Sequence, residues 1–121
     1  MNRTKFERLV AKAIEALPEE FSVRLDNVVV VIADRPSRDQ LASVGLRRGH
    51  DLLGLYEGVP LTERGASYGL VLPDRITIFQ RAIESECASD DEIADEIRKT
   101  IQHEIAHHFG ISDARLDELE R

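Results

Sequence analysis

The sequence predicts one domain in which helices flank a few strands. Three observations support this fold: an amphipathic N-terminal segment, apolar runs typical of strands in the middle, and a long C-terminal segment with isoleucine at every fourth position. The chain has 121 residues, of which 42% are hydrophobic and 32% charged. These values are typical of a globular domain that is large enough to bury its own core.

The N-terminal segment is expected to be a helix. Thr4 and Glu7 have the spacing of a capping box, and Pro18 would prevent the helix from continuing. The apolar side chains that recur on one helical face are Phe6, Leu9, Val10, Ala13, Ile14 and Leu17.

Three strands are predicted in the middle of the chain. The continuous apolar run 28–33 is typical of a central strand that is covered on both faces. Residues 52–58 and 74–80 are expected to form two further strands. We interpret the polar, glycine-bearing stretch 35–51 as a loop, and residues 81–86 as a short helical turn.

The last long element is predicted to be a helix that begins near Ser89 or Asp90, either of which can cap it. Asp91 and Glu92 suit the positive end of a helix dipole, and Gly110 is suited to its C-terminal end. The isoleucines that repeat along it are Ile93, Ile97, Ile101 and Ile105.

Composition narrows the functional classes. Cys87 is the single cysteine, so no internal disulfide can form, and we expect a cytoplasmic protein. The acidic residues around Cys87 would raise the pKa of its thiol, which argues against a catalytic thiolate. The net charge of −7 argues against nucleic-acid binding, and no apolar run is long enough to span a membrane.

Two histidines lie on the polar side of the last helix. With about 100° per residue, the isoleucines cover about 0° to 120°, while His103 and His107 fall at about 280° and 320°. They share that face with Glu92, Glu96 and Thr100. Two histidines four residues apart, with Glu104 directly after the first, form the arrangement in which both imidazoles bind Zn²⁺ and the carboxylate acts on water.

A third ligand is available just beyond the helix. Gly110 permits a left-handed turn, after which the chain can double back and bring Asp113 to the metal. Three protein ligands and one open position suit a catalytic zinc. Alternatively, Ser112 or Asp113 caps a final short helix. The other acidic residues nearby, which could serve as oxygen ligands or form a solvated face, are Asp117, Glu118 and Glu120.

The stretch `HEIAHHFGISD` resembles the extended zinc signature of the metzincins, with aspartate in the third position. The chain more closely resembles a small bacterial family of minimal zincin-like metallopeptidase domains. The segments that carry this likeness are `LDNVVVVIADRP`, `LLGLYEGVPL`, `LPDRITIFQRAIE` and `HEIAHHFGISD`, in that order.

The resemblance implies an α+β fold in which a small mixed sheet packs against the N-terminal helix and the active-site helix. It implies one Zn²⁺ per chain, held by His103, His107 and Asp113, with Glu104 as general base and acid. It also implies that the strand before the helix is an edge strand that binds an extended peptide or protein substrate. Its residues are Arg75, Ile76, Thr77, Ile78 and Phe79.

The sequence departs from the metzincins in having no methionine downstream of the third ligand. Met1 is the only methionine, and eight residues follow Asp113. We therefore expect a cleft that is open on that side, weak or absent activity on generic folded proteins, and a homodimer or partner that covers the opening.

Two other functions compete with a zinc peptidase. One is a non-catalytic domain that binds metal and peptide, and the other is a metal-dependent endoribonuclease, against which Glu104 and the net charge argue. His108 is expected to pack rather than bind metal. Tyr56 and Tyr68 are candidates for stabilising an oxyanion, although tyrosine is also common in strands.

Overall fold

The computed structural model describes residues 1–44, 52–58 and 72–120, without the side chains of Asp113, Asp117, Leu119 and Glu120. Its elements are α1 (Arg3–Glu15), α2 (Glu19–Ser22), a 3₁₀ turn (Val23–Leu25), β1 (Val28–Ala33), α3 (Arg38–Ser43), β2 (Gly54–Glu57), β3 (Asp74–Phe79), α4 (Gln80–Glu86), α5 (Asp90–Phe109) and α6 (Asp113–Glu120). Helices thus pack with a small mixed sheet, and the predicted α+β fold is confirmed. Within the described ranges, no helix has both the length and the apolar character needed to cross a membrane.

The three described strands lie in the order β1–β3–β2, with β1 parallel and β2 antiparallel to β3. The prediction that residues 28–33 form the central strand is therefore wrong, because β1 lies at an edge of the described sheet. Val29 and Val31 are 43% and 37% exposed on it. A run of β-branched residues fits any pleated, half-buried surface, so the composition of the run does not reveal its neighbours.

The prediction that residues 75–79 form an edge strand is also wrong. The strand β3 is hydrogen-bonded on both sides and presents no free edge. Arg75 lies opposite Glu57 and forms an ion pair with it at 3.3 Å between Nη2 and Oε1. The buried residues of β3 are Ile76, Thr77, Ile78 and Phe79. Four consecutive buried residues mean that both faces of β3 are covered, and the residue pattern of the strand does not indicate which strands lie beside it.

The core lies between the sheet and the helices α1 and α5. The four isoleucines that repeat along α5 are all buried, as predicted from their spacing. They pack in one cluster with Phe6 and Val10 of α1 and with Ile76 and Ile78 of β3. This burial fixes the rotation of α5 about its axis and turns its polar side away from the core.

The cap of α1 and the presence of α3 both differ from the sequence prediction. Asn2, rather than Thr4, caps α1 by accepting a hydrogen bond from the Lys5 backbone N–H at 2.8 Å. Residues 38–43 form the helix α3 where a loop was predicted. Ser37 and Gln40 make a reciprocal capping box there, because the backbone N–H of each donates to the side chain of the other.

The long helix α5 begins and ends as predicted. Ser89 caps it by accepting a hydrogen bond from the Glu92 backbone N–H, and Gly110 ends it with a left-handed φ of 72°. The predicted helical turn near residues 81–86 is confirmed as α4.

The final helix α6 is held against the rest of the protein at two points. Leu116 is buried in the core, and the Arg115 guanidinium donates to both carboxylate oxygens of Glu20 at 3.1 and 3.2 Å. Ser112 caps the helix by accepting a hydrogen bond from the Arg115 backbone N–H at 3.2 Å. The chain therefore turns at Gly110 and starts a new helix at Asp113, as the capping alternative predicts.

Candidate metal centre

A cleft of about 300 Å³ lies between α5 and the start of β2. His103 and His107 are exposed on its α5 side, one helical turn apart. The residues that line the cleft are Leu52, Leu53, Gly54, Glu96, Thr100, His103, Glu104 and His107. Glu96 and Thr100 thus line the cleft together with the histidines, as the predicted polar face implies. The Glu92 carboxylate accepts a hydrogen bond from the Ala88 backbone N–H at 2.6 Å.

Glu104 lies between the two histidines in sequence and is half-buried in the cleft. Its Oε1 accepts a hydrogen bond from the Tyr56 backbone N–H at 2.9 Å. This bond ties the carboxylate of α5 to the strand β2. The orientation of Glu104 is thus set by a backbone group and not by solvent.

Burial raises the pKa of the Glu104 carboxyl above its usual range. The hydrogen bond from Tyr56 and the nearby His107 and His103 lower this pKa and oppose part of the effect of burial. A carboxylate with a raised pKa holds a proton more readily near neutral pH, which suits a group that must accept and return one.

Gly54 allows α5 and β2 to lie this close. A Cβ at Gly54 would lie 2.6 Å from Cγ2 of Thr100 and 3.1 Å from the backbone oxygen of Thr77. Sequence reasoning did not single out Gly54. The available signal was a glycine inside a predicted strand, which often marks the close approach of another element.

Tyr56 is held on three sides. Its hydroxyl donates to Asp74 Oδ2 at 2.6 Å, and its ring stacks on His108 with a centroid separation of 3.9 Å and an interplanar angle of 17°. Phe109 meets the same ring edge-on at 6.2 Å. The prediction that His108 packs is confirmed, and the Tyr56 hydroxyl is bound to Asp74 and not aimed at an oxyanion. Tyr68 lies outside the described residues.

The third predicted ligand is only partly described. Asp113 begins α6 directly after the turn at Gly110, but its side chain is outside the described part of the protein. Among the described side chains, no three metal-ligating groups converge. Glu118 is bound within α6, where its carboxylate accepts from Arg115 Nη1 at 2.9 Å. Asp117 and Glu120 have no described side chains.

The donor set fits zinc. Imidazole nitrogens are among the preferred zinc ligands, and His103 and His107 present two of them from one face of α5 into a cleft. The carboxylate of Glu104 borders the same space but is hydrogen-bonded to the sheet. A site with two imidazoles and a separately held carboxylate is the arrangement that hydrolytic zinc sites use.

The family model described as zincin-like metallopeptidase matches residues 25–121, which is well over half of the chain. The chain belongs to this zincin-like metallopeptidase family. No curated protein matches the chain. At the family level, membership implies zinc binding and hydrolase chemistry. The helix α1 precedes the matched segment, yet it packs directly on α5 of the zincin-like region.

The thiol of Cys87 is a poor alternative nucleophile in this zincin-like protein. Burial raises the pKa of Cys87, and the carboxylates of Glu96, Glu92, Glu86 and Asp95 raise it further. The thiol therefore stays protonated at neutral pH, as the acidic neighbours in the sequence predict.

Substituting Gly54→Ala should destabilise the protein, because the new methyl group collides with Thr100. Overpacking of this kind costs about 1–3 kcal/mol of unfolding free energy. Urea unfolding followed by circular dichroism measures the loss. The double variant Gly54→Ala/Thr100→Ser removes the colliding methyl group and should recover part of the stability. An unchanged midpoint in Gly54→Ala would show that α5 and β2 do not meet as closely as described.

Proposed function

We propose that this protein is a zinc-dependent peptidase in which Glu104 acts as general base and acid. The observation that carries the proposal is that Glu104, His103 and His107 face one cleft while the Tyr56 backbone N–H holds the Glu104 carboxylate. The partial burial of Glu104 in the cleft and the family assignment support the same chemistry.

His103 and His107 would hold the zinc ion, with Asp113 as the third ligand. Zinc, when bound, supplies a Lewis acid that makes water a better nucleophile and polarises a carbonyl group. Two observations support Asp113: Gly110 ends α5 three residues before it, and Leu116 and Arg115 anchor the helix α6 that it begins. Glu118 is the less favoured candidate, because its carboxylate accepts a hydrogen bond from Arg115 within α6.

Glu104 would move the protons of the reaction. Its carboxylate accepts a proton from the attacking water and returns it to the nitrogen of the leaving group. The hydrogen bond from Tyr56 occupies Oε1, which leaves the second carboxylate oxygen, Oε2, to carry the proton. The strand β2 therefore positions the group that does the chemistry.

An extended peptide would lie along β2 rather than β3. The backbone groups of Leu53 bond toward β3, since its carbonyl accepts from the Phe79 N–H at 2.9 Å. Backbone groups alternate in direction along an antiparallel strand, so those of Gly54 and Tyr56 face the cleft. The Tyr56 N–H binds Glu104 on this side of β2, and an extended peptide would lie beside the strand there.

Replacing Glu104 by glutamine should abolish hydrolysis and leave zinc in place. Loss of a general base typically costs about 10²–10⁴ in kcat. Cleavage of short extended peptides and zinc content are measured for each variant. As controls, His107→Ala should lose zinc, whereas Glu7→Gln, at an exposed position of α1, should change neither cleavage nor zinc content. A wild-type protein that holds zinc and binds peptides but releases no cleaved product would contradict the proposal and favour the non-catalytic alternative.

Substituting Asp113→Ala should weaken zinc binding by more than tenfold, because a charged oxygen ligand is removed. The matched variant Asp117→Ala changes the same charge within α6. Competition with a zinc chelator measures both affinities. Equal zinc affinities in the two variants would mean that Asp113 only begins the helix, and a larger loss in Asp117→Ala would transfer the ligand role to that residue.

A further inference from the structure

The cleft continues beyond the histidines toward the start of β2. At that end, Leu52 and Leu53 form one wall, and Thr100 and Glu96 of α5 form the other. Neither Leu52 nor Glu96 has a role in the chemistry proposed for Glu104. This end of the cleft therefore has a composition of its own, with an apolar wall facing a single carboxylate.

Glu96 is half-buried, and in the described ranges no cation pairs with its carboxylate. The nearest basic residues along α5 are engaged elsewhere. Arg98 and Lys99 both bind Asp95, at 2.7 Å and 3.3 Å. The carboxylate of Glu96 is thus a partly desolvated negative charge that faces a cleft, and a positive group in that cleft would gain from pairing with it.

Lysine and arginine have side chains that match this lining. Each has an apolar stem, which can pack on Leu52 and Leu53, and a cationic head, which can reach Glu96. A purely apolar side chain would leave the Glu96 carboxylate without a partner, and an acidic side chain would be repelled by it. We propose that this end of the cleft is the pocket for a basic side chain of the peptide substrate, with Glu96 as the residue that determines specificity. This inference rests on the proposed peptidase function.

The position of Glu96 sets which substrate residue it can reach. It precedes His103 by seven residues, which is about 10 Å along the helix. An extended peptide advances about 3.4 Å per residue, and a lysine side chain adds about 6 Å of reach. The basic residue would therefore lie within one or two positions of the bond that is cleaved.

The experiment measures peptide binding, so it does not depend on turnover. Blocked alanine-based octapeptides carry lysine, norleucine or glutamate at one position in turn, and their affinity for zinc-loaded Glu104→Gln protein is measured by fluorescence anisotropy. Norleucine keeps the stem of lysine and lacks its charge. At one position we expect lysine to bind about fivefold more tightly than norleucine, the size of effect that a partly exposed ion pair gives.

The preference for lysine should disappear when Glu96→Gln is added and persist when Glu7→Gln is added instead. Both changes remove one negative charge, but Glu7 is exposed on α1. Circular dichroism and zinc content confirm that each variant is folded and loaded. Equal binding of lysine and norleucine at every position, a preference that survives Glu96→Gln, or no binding by any peptide overturns the inference.

The same peptides separate this inference from the proposed function. Selective lysine binding without hydrolysis by the wild-type protein would refute the peptidase and leave the basic pocket standing. Hydrolysis without a preference for lysine or arginine would refute the pocket and leave the peptidase standing.

Discussion

The close approach of α5 to β2 is the contact on which the site depends. The buried isoleucines of α5 press one of its faces into the core, and the absence of a side chain at Gly54 lets Thr100, beside that face, reach the strand. Two consequences follow from this contact. Glu104 comes within hydrogen-bonding distance of the Tyr56 backbone N–H, and the histidines are left at the mouth of a cleft instead of on an open helix face.

The hydrogen bond between Glu104 and Tyr56 satisfies a polar group on each residue. A half-buried carboxylate loses part of its hydration, and an N–H at a strand edge has no partner within its own sheet. Their hydrogen bond satisfies both groups and also orients the carboxylate. The Tyr56 side chain is held by its hydrogen bond to Asp74 of β3 and by stacking on His108 at the end of α5. Both contacts help to keep the Tyr56 backbone N–H in position.

The local features of the fold could be read from the sequence, and the non-local ones could not. Gly110 and the isoleucines of α5 were predicted because a helix is specified by residues three or four positions apart. The predicted positions of β1 and β3 in the sheet were wrong, because strand order depends on partners that are far away in the sequence. The Tyr56–Glu104 bond joins residues 48 positions apart, and no sequence pattern near either residue marks it.

In the candidate site, too, the local features could be predicted from the sequence and the non-local ones could not. His103, Glu104 and His107 share one short motif, and the structure brings them to one cleft. Gly54 was missed because its role depends on the methyl group of Thr100, which a strand pattern cannot show. The helix α3 was missed because the capping box at Ser37 and Gln40 lies within a stretch whose polar composition is typical of loops.

X-ray absorption at the zinc edge of the loaded wild-type protein tests whether α5 carries the metal centre. A zinc ion bound by His103 and His107 should show nitrogen and oxygen neighbours at about 2.0–2.2 Å with the scattering pattern of two imidazoles. A sulfur neighbour at about 2.3 Å would assign the metal to Cys87, the only cysteine. Such a spectrum, or one without imidazole scattering, would contradict a zinc site built on His103 and His107.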